Sequence, residues 1–504
     1  MKAKLVLGML STLVFVTLMA PPAMAQFVLP SRAEADLSYP GKTESFIRIA
    51  DKQLTQADAE RYPFVWWRDT TVQNKLWEYS VSQYPNMVIP AYVTADVKVL
   101  VFASQAGSNV VAIIGPLGNV VIGTGGSRNA AKLAVYRLNQ AVPNFQLNLR
   151  AIIYTDCNHE TMWGAAEFIG TDIQRTVPVY VYGNANIYQA GAQRQLVSTA
   201  VVQHDLYAYG PQLPYGPNGN LGAGSMFGFN PYQLDTGLVL PNRYIASETS
   251  INVAGVPMTL IPGCSEDAGL RVWLPDGKVL VVGEIFGKYF PPIDGITGPE
   301  ISATRWISTL DYWITLQPNV LASLHTLPIV GAAAVEDALT DQKDALKSVH
   351  DQTVAKMNQM MPLDDIVATV QIPDSLRQEP FVQPLTGTVA GAVKSIYHQY
   401  MGWFDWEVDS LINFSTYEEA AFLVALAGGP DEALAQAYTF EQDHTLVGAQ
   451  KALIISDALR KVSPTREADL IYIMSLRKMG YAEESAHMRN YYLLLANRAE
   501  AAMQ

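Results

Sequence analysis

The sequence is poor in cysteine, in basic residues and in long apolar runs. Cys157 and Cys264 are its two cysteines among 504 residues, so at most one intrachain disulfide is possible. Spacing does not fix the Cα separation such a bond needs, and two separate buried thiols are an equally open reading. Lys and Arg total 34 against 47 Asp and Glu, a formal net charge of -13. That excludes nucleic acid as a partner, because phosphate binding needs a basic surface. After the N-terminus no apolar stretch is long enough to span a bilayer. There is no Gly-x-Ser-x-Gly elbow, no Gly-Lys-Ser/Thr and no full dinucleotide fingerprint. The one glycine-rich strand-to-helix turn, Gly123-Thr-Gly-Gly126, reads as a tight turn rather than a phosphate cradle.

What is present is apolar and globular in character. Hydrophobic residues make up 49% and charged residues 16%, a composition able to bury a core. The length calls for at least two domains. Residues 1–25 have the layout of an export signal: Lys2 and Lys4, an apolar stretch from Leu5 to Met19, then Ala23-Met24-Ala25 as a small-x-small cleavage site. The mature chain is expected to begin at Gln26, without a lipid-accepting cysteine, and to be exported to a bacterial periplasm. That compartment permits a disulfide.

From Gln26 to about Pro90 the pattern is aromatic and irregular. Short β-branched runs follow at 97–104, 109–115, 120–122, 151–154 and 177–181, with a helix at 130–138. Residues 205–245, dense in Gly, Pro, Asn and Tyr, read as one long loop of the kind that rims a site. A second set of strands is expected at 249–253, 257–261, 270–274 and 279–283, with a hairpin turn at Pro275-Asp-Gly-Lys278. Beyond about Ala334 nearly every segment has helical spacing: 335–361, 389–399, 416–427, 431–442, 446–462, 465–479 and 483–502. Two β sets with helices predict a sheet sandwich covered on both sides.

The most informative stretch is Ala151-Ile-Ile-Tyr-Thr-Asp-Cys-Asn-His-Glu-Thr-Met-Trp-Gly164. It reads as a buried strand running into a polar cluster and then a helix, the place where α/β enzymes put their chemistry. Without gaps it lies on the Thr-His-x-His-x-Asp-His-x-Gly-Gly frame of metallo-β-lactamase-fold proteins, matching at Thr155 and Gly164. Further segments carry a fuller resemblance: Leu213-Pro-Tyr-Gly-Pro-x-Gly219 with Ala223-Gly224, Pro241-Asn-Arg243, His350-Asp-Gln-Thr353, Tyr397-His-Gln-Tyr-Met-Gly-Trp-Phe-Asp405, and Leu476-x-x-x-Gly-Tyr-x-x-Glu-Ser485 with Arg489-Asn-Tyr491. Across the mature chain these resemble the alkylsulfatases with a metallo-β-lactamase fold. The resemblance implies an α/β fold: an αββα sandwich over residues 26–335, then an all-α dimerisation domain over 336–504. It also implies sulfuric ester hydrolysis at a zinc centre, a homodimer and a small amphipathic or alkyl ligand. The sterol-carrier-like domain that usually follows in the family would begin where this sequence stops, at Gln504.

The positions that would hold zinc depart from the family. Its His, His, Asp and His fall on Asp156, Asn158, Glu160 and Thr161. Its first glutamate falls near Gly269, with Glu266 and Asp267 a few residues away. Its bridging glutamate matches Glu284, and its last histidine is His325 or is replaced by Leu324. The sulfate-gripping arginine falls near Thr297, and an arginine pair falls on Gln203-His204. Tyr209 and Tyr215 occupy the substrate loop. The remaining donors are mostly oxygens, which suit Mn²⁺, Mg²⁺ or Ca²⁺ better than Zn²⁺. Asp156 and Glu160 equally suit an N-cap and a first-turn acid. The expectation is therefore a pseudoenzyme without a bound cofactor, with a binding or structural role. The alternative is a metal-dependent hydrolase with a rebuilt oxygen-rich site.

Overall fold

The computed structural model describes residues 87–104, 108–156, 158–170, 177–183, 198–213, 219, 237–263, 269–296, 300–405, 407–411, 414–443 and 445–503; of His159, Glu160, Ser198, Thr199, Val201, Val202, Glu284, Asp409 and Ser410 it describes the backbone alone. Seven strands form the first sheet in sequence order: β1 (Met87–Val93), β2 (Lys98–Ala103), β3 (Val110–Gly115), β4 (Gly118–Ile122), β5 (Leu149–Ile153), β6 (Val179–Tyr182) and β7 (Arg243–Ile245). β1 to β4 pair antiparallel and β4 to β7 parallel. The second sheet contains β8 (Thr249–Val253), β9 (Val256–Pro262), β10 (Leu270–Leu274), β11 (Val279–Gly287), β12 (Val320–His325) and β13 (Ile329–Val330). Here the β11–β12 pair is parallel and the other pairs are antiparallel.

Side-chain alternation explains the continuous apolar runs. Val99, Val101, Val111, Ile113, Val120, Ile122, Ala151 and Ile153 face the second sheet and pack with its Leu260, Val272, Val279 and Val281. The residues between them face the other way. Leu100, Phe102, Val121 and Ile152 pack under α1 (Arg128–Ala141) and α3 (Ala165–Ile169), which is preceded by the single turn α2 (His159–Met162). A strand buried on both faces needs apolar residues at every position, not at alternate ones. The far face of the second sheet, through Leu280, Val282 and Leu321, shares a core with α5 (Ala303–Thr315), α6 (Ala332–Met357), α7 (Leu363–Thr369) and α8 (Val389–Met401). α6 begins just before the expected boundary at 335/336 and shares that core.

The remaining helices are α9 (Thr416–Leu426), α10 (Pro430–Gln442), α11 (Leu446–Val462), α12 (Arg466–Ala482) and α13 (Ala486–Ala502). Hydroxyls mark their starts. Ser415 and Glu418 form a capping box, and Thr445 and Thr465 accept from the amides of Gly448 and Ala468. α12 is buried along most of its length, which makes it the axis of this bundle.

Two expectations need correction. Residues 87–90, read as irregular, open β1; Pro90 is tolerated because β1 is an edge strand whose register shifts between Pro90 and Tyr92. Residues 205–245 are not one loop. A helix, labelled α4 below (Ser198–Tyr209), runs into their start, and β7 occupies their end. The breaker residues that dominate the composition begin only at Gly210. The strands β12 and β13 and the helices α5 and α7 were not anticipated from the sequence. Among the described residues no helix is long and apolar enough to cross a membrane.

Candidate functional site

The polar stretch after β5 lies at the carboxyl end of a parallel strand between the two sheets. Thr155 joins it to the second sheet, its carbonyl accepting from the Leu270 amide at 2.6 Å. Asp156 is 2% exposed. Its Oδ2 accepts from Thr155 Oγ1 at 2.8 Å. Its Oδ1 accepts from the Asn158 amide at 2.9 Å and lies 2.6 Å from Thr161 Oγ1. Thr161 Oγ1 is also 3.0 Å from the Asn158 carbonyl, so one proton serves two acceptors. Asp156 thus caps the turn into α2 from within its own segment. Thr161 is fully buried and its carbonyl accepts from the amide and hydroxyl of Thr124. This fixes the glycine-rich turn after β4, where Gly123 and Gly125 adopt φ of 65° and 82°. A Cβ on Gly123 would lie 2.7 Å from Leu324 Cδ1.

The second sheet contributes β11 and β12. Gly283 faces Thr155 and Asp156, and no larger residue fits: a Cβ there would lie 2.7 Å from Thr155 Oγ1 and 3.0 Å from Asp156 Oδ2. The β11–β12 ladder then shifts register between Val282 and Gly287, so Glu284 lies in an irregular part of the strand. Gly287 pairs with His325, the last residue of β12. His325 is 9% exposed. Burial holds its imidazole below the ordinary histidine range, opposed in part by the nearby Asp156 carboxylate. Its amide donates to Ser323 Oγ at 3.0 Å, and Ser323 Oγ donates to the Phe286 carbonyl at 2.5 Å.

Asp156, Asn158, Thr161 and His325 therefore converge at the strand ends, with the backbone of Glu284 beside them. The Glu160 and Glu284 side chains, Cys157, Cys264, Glu266, Asp267, Tyr215 and Thr297 lie outside the described residues. Leu324 turns into the apolar space between the sheets. Tyr209, Gln203 and His204 sit on α4, against α13 rather than against β5. Among the described residues no group of three or more His, Cys, Asp or Glu is placed to hold a metal ion.

Two residues of this region escaped the sequence reading. Asn109 is fully buried. Its amide nitrogen donates to the carbonyls of Ser323 and Thr326 at 3.1 and 2.8 Å, and its carbonyl accepts from the Ser104 amide at 3.1 Å. It ties the end of β12 to the turn between β2 and β3. Arg271, 3% exposed, donates to the Gly269 carbonyl at 3.1 Å and lies 5.6 Å from the Trp313 ring centre. Gly263 must lack a side chain to let the guanidinium pass. An asparagine after a serine and a lone strand arginine carry no local signal of either role.

Two mixed sheets face to face, with helices on both outer faces and polar residues gathered at the strand ends, define a metallo-β-lactamase-type αββα sandwich. Residues 362–501 match the family model for alkyl sulfatase dimerisation. A linear primary-alkylsulfatase from Pseudomonas sp. is 27% identical over 398 residues, covering 77% of this chain and 73% of that protein. An alkyl/aryl-sulfatase from Saccharomyces cerevisiae is 24% identical over 360 residues, covering 69% of this chain and 55% of the yeast protein. Among solved structures, the stereoselective inverting sec-alkylsulfatase Pisa1 from Pseudomonas sp. superposes with a TM-score of 0.75 at 21% identity, covering 91% of this chain and 70% of that one. The chain is thus similar to alkylsulfatases over most of its length, and its helical part matches their dimerisation family.

Proposed function

We propose that this protein is a binding or structural member of its family, without zinc catalysis. The observation that carries this reading is the use made of Asp156. At a position where the family resemblance puts a metal ligand, both carboxylate oxygens are taken up by Thr155, Asn158 and Thr161 of the same turn. Thr161, at another such position, serves as a hydroxyl neighbour of that carboxylate. Zinc prefers several nitrogen or sulfur donors in a near-tetrahedral shell, and the described donors supply one imidazole. They do not fit a dinuclear zinc centre. The ligand in this reading is a small amphipathic or alkyl molecule. Metal analysis of the purified protein and turnover of alkyl sulfates test it. Near-stoichiometric zinc with turnover would overturn it.

A second reading rests on the convergence of His325 and Asp156 beside the backbone of Glu284. There a hard cation such as Mn²⁺, Mg²⁺ or Ca²⁺ would be held by oxygen donors and ester hydrolysis would survive. Turnover that appears with added Mn²⁺ or Mg²⁺ and is lost in Glu284→Gln would favour it.

The proposal includes a homodimer through the helical region. The family match there supports it, as do the exposed apolar side chains Tyr400, Trp403, Phe414, Tyr417 and Phe422. An obligate interface of about 2,000 Å² or more would cover such a surface. A monomer mass by light scattering at low micromolar concentration would refute it. Export rests on the composition of residues 1–25 and is tested by N-terminal sequencing of the secreted or periplasmic form, with Gln26 expected first.

A further inference from the structure

α4 precedes β7 and β8 in sequence, yet it is held by the last helix of the chain. Tyr207 stacks on Tyr491 with ring centres 5.3 Å apart and planes at 13°. Arg498 donates to Tyr207 Oη at 2.5 Å and reaches Gln203 Oε1 and Gln212 Oε1 at 3.4 Å. Asn490 donates to the Ala208 carbonyl at 2.9 Å. Gly210, at φ 58°, leaves the space Asn490 fills; a Cβ would lie 2.8 Å from Asn490 Cγ. Tyr209 meets the edge of His487 at 5.4 Å, and the fully buried Arg489 donates to the Gly219 carbonyl at 2.5 Å. Every one of these partners lies on α13.

The start of α13 is tied in turn to residues 385–386. The Ala486 amide donates to the Leu385 carbonyl at 2.9 Å and Ser485 Oγ to the Thr386 carbonyl at 2.5 Å. The same segment meets the chain leaving β11: the Phe290 amide donates to the Gln383 carbonyl at 2.8 Å, and Gly387 has no room for a side chain against the Pro291 carbonyl. A continuous path of contacts therefore runs from the chain leaving β11, whose Gly283 faces Asp156 and whose Gly287 pairs with His325, through residues 383–387 to α13 and on to α4.

We propose that α13 is a strut that positions α4 relative to the strand-end cluster, so the C-terminal helix is part of the candidate binding site's architecture and not only of an assembly surface. Tyr491, Asn490 and Arg498 are positioning residues acting through α4. This rests on reading the strand-end cluster as the binding site. The test compares the full mature chain with Tyr491→Ala, Tyr491→Phe and Arg498→Ala by hydrogen exchange, with decyl sulfate below its micellar concentration as the calorimetric probe. We expect amides in residues 200–213 to exchange at least tenfold faster in Tyr491→Ala and Arg498→Ala, while β3, β4 and β11 keep wild-type protection. Tyr491→Phe keeps the stacked ring and should remain within about twofold of wild type, since the ring face supplies the contact. Probe affinity should fall at least fivefold in the two alanine variants and not in Tyr491→Phe. Unchanged exchange of α4, or acceleration spread equally over the sheets, would overturn the strut. So would a loosened α4 with unaltered probe affinity. If the wild-type chain binds no decyl sulfate, the alkyl-ligand reading fails by itself and exchange alone decides whether α13 holds α4.

Discussion

Gly283 of β11 and Asp156 after β5 oppose each other across the two sheets, so closely that a Cβ on the glycine would stand 3.0 Å from the carboxylate. That contact sets how near the strand ends approach and where the carboxylate lies. Gly283→Ala should push the sheets apart locally and destabilise the protein by about 1–3 kcal/mol, the usual cost of overpacking a fixed site. Chemical denaturation measures this. A change below about 0.5 kcal/mol would mean that the sheets relax there freely.

Asp156 is used as a turn cap, and its removal should cost stability. Asp156→Ala removes the acceptor of the Asn158 amide and of the Thr155 hydroxyl, while the Thr161 hydroxyl keeps the Asn158 carbonyl, a loss of about 1–3 kcal/mol. Asp156→Asn keeps one acceptor and should lose less. Denaturation with and without added zinc separates this role from ligation. Zinc should stabilise neither wild type nor variant; a zinc-dependent gain confined to wild type would assign Asp156 to a metal.

His325 makes stability depend on pH in a defined direction. Burial lowers its folded pKa below the ordinary 6.5, so the unfolded chain binds the proton more readily. The stability it contributes is present above about pH 6.5 and is lost as pH falls towards the folded value, by up to about 1.4 kcal/mol per pH unit. Half-buried Asp294 and Glu483, whose carboxyls desolvation raises, act in the opposite sense. The difference between wild type and His325→Leu isolates the histidine. Melting curves from pH 7.5 to 5 should converge as the pH drops, and parallel curves would contradict the assignment.

Much of this architecture is legible in the sequence because local pattern and final burial agree. The runs at 249–253, 270–274 and 446–462 become β8, β10 and α11 with the expected limits. What escaped was decided by tertiary contact. β1 contains a proline, tolerated only at a sheet edge. α4 draws its packing from a helix almost three hundred residues away, beside a glycine-rich segment that dominates the local composition. At the candidate site the sequence names Asp156, Thr161 and His325, and for Asp156 it leaves cap and ligand both open. Asp156 as cap and Asp156 as ligand are the same letter, and the hydrogen bonds distinguish them. Asn109 and Arg271 act through carbonyls and rings supplied by other strands, which no spacing rule marks.

Within the helical bundle, Lys478 and Glu441 form an ion pair at 2.7 Å with side chains 4% and 1% exposed. Lys478→Met alone leaves a buried carboxylate without its cation and should cost about 3–5 kcal/mol, whereas Lys478→Met with Glu441→Leu should recover most of that loss. A double variant as unstable as the single one would show that the pair is needed for bundle packing as such.

The central claim is that the strand-end cluster of this alkylsulfatase-like protein does not carry zinc chemistry. Elemental analysis of the purified protein, prepared without chelator and dialysed against zinc-containing and then metal-free buffer, tests it most directly. The account predicts zinc far below one ion per chain. Retention of one or two ions per chain would contradict it.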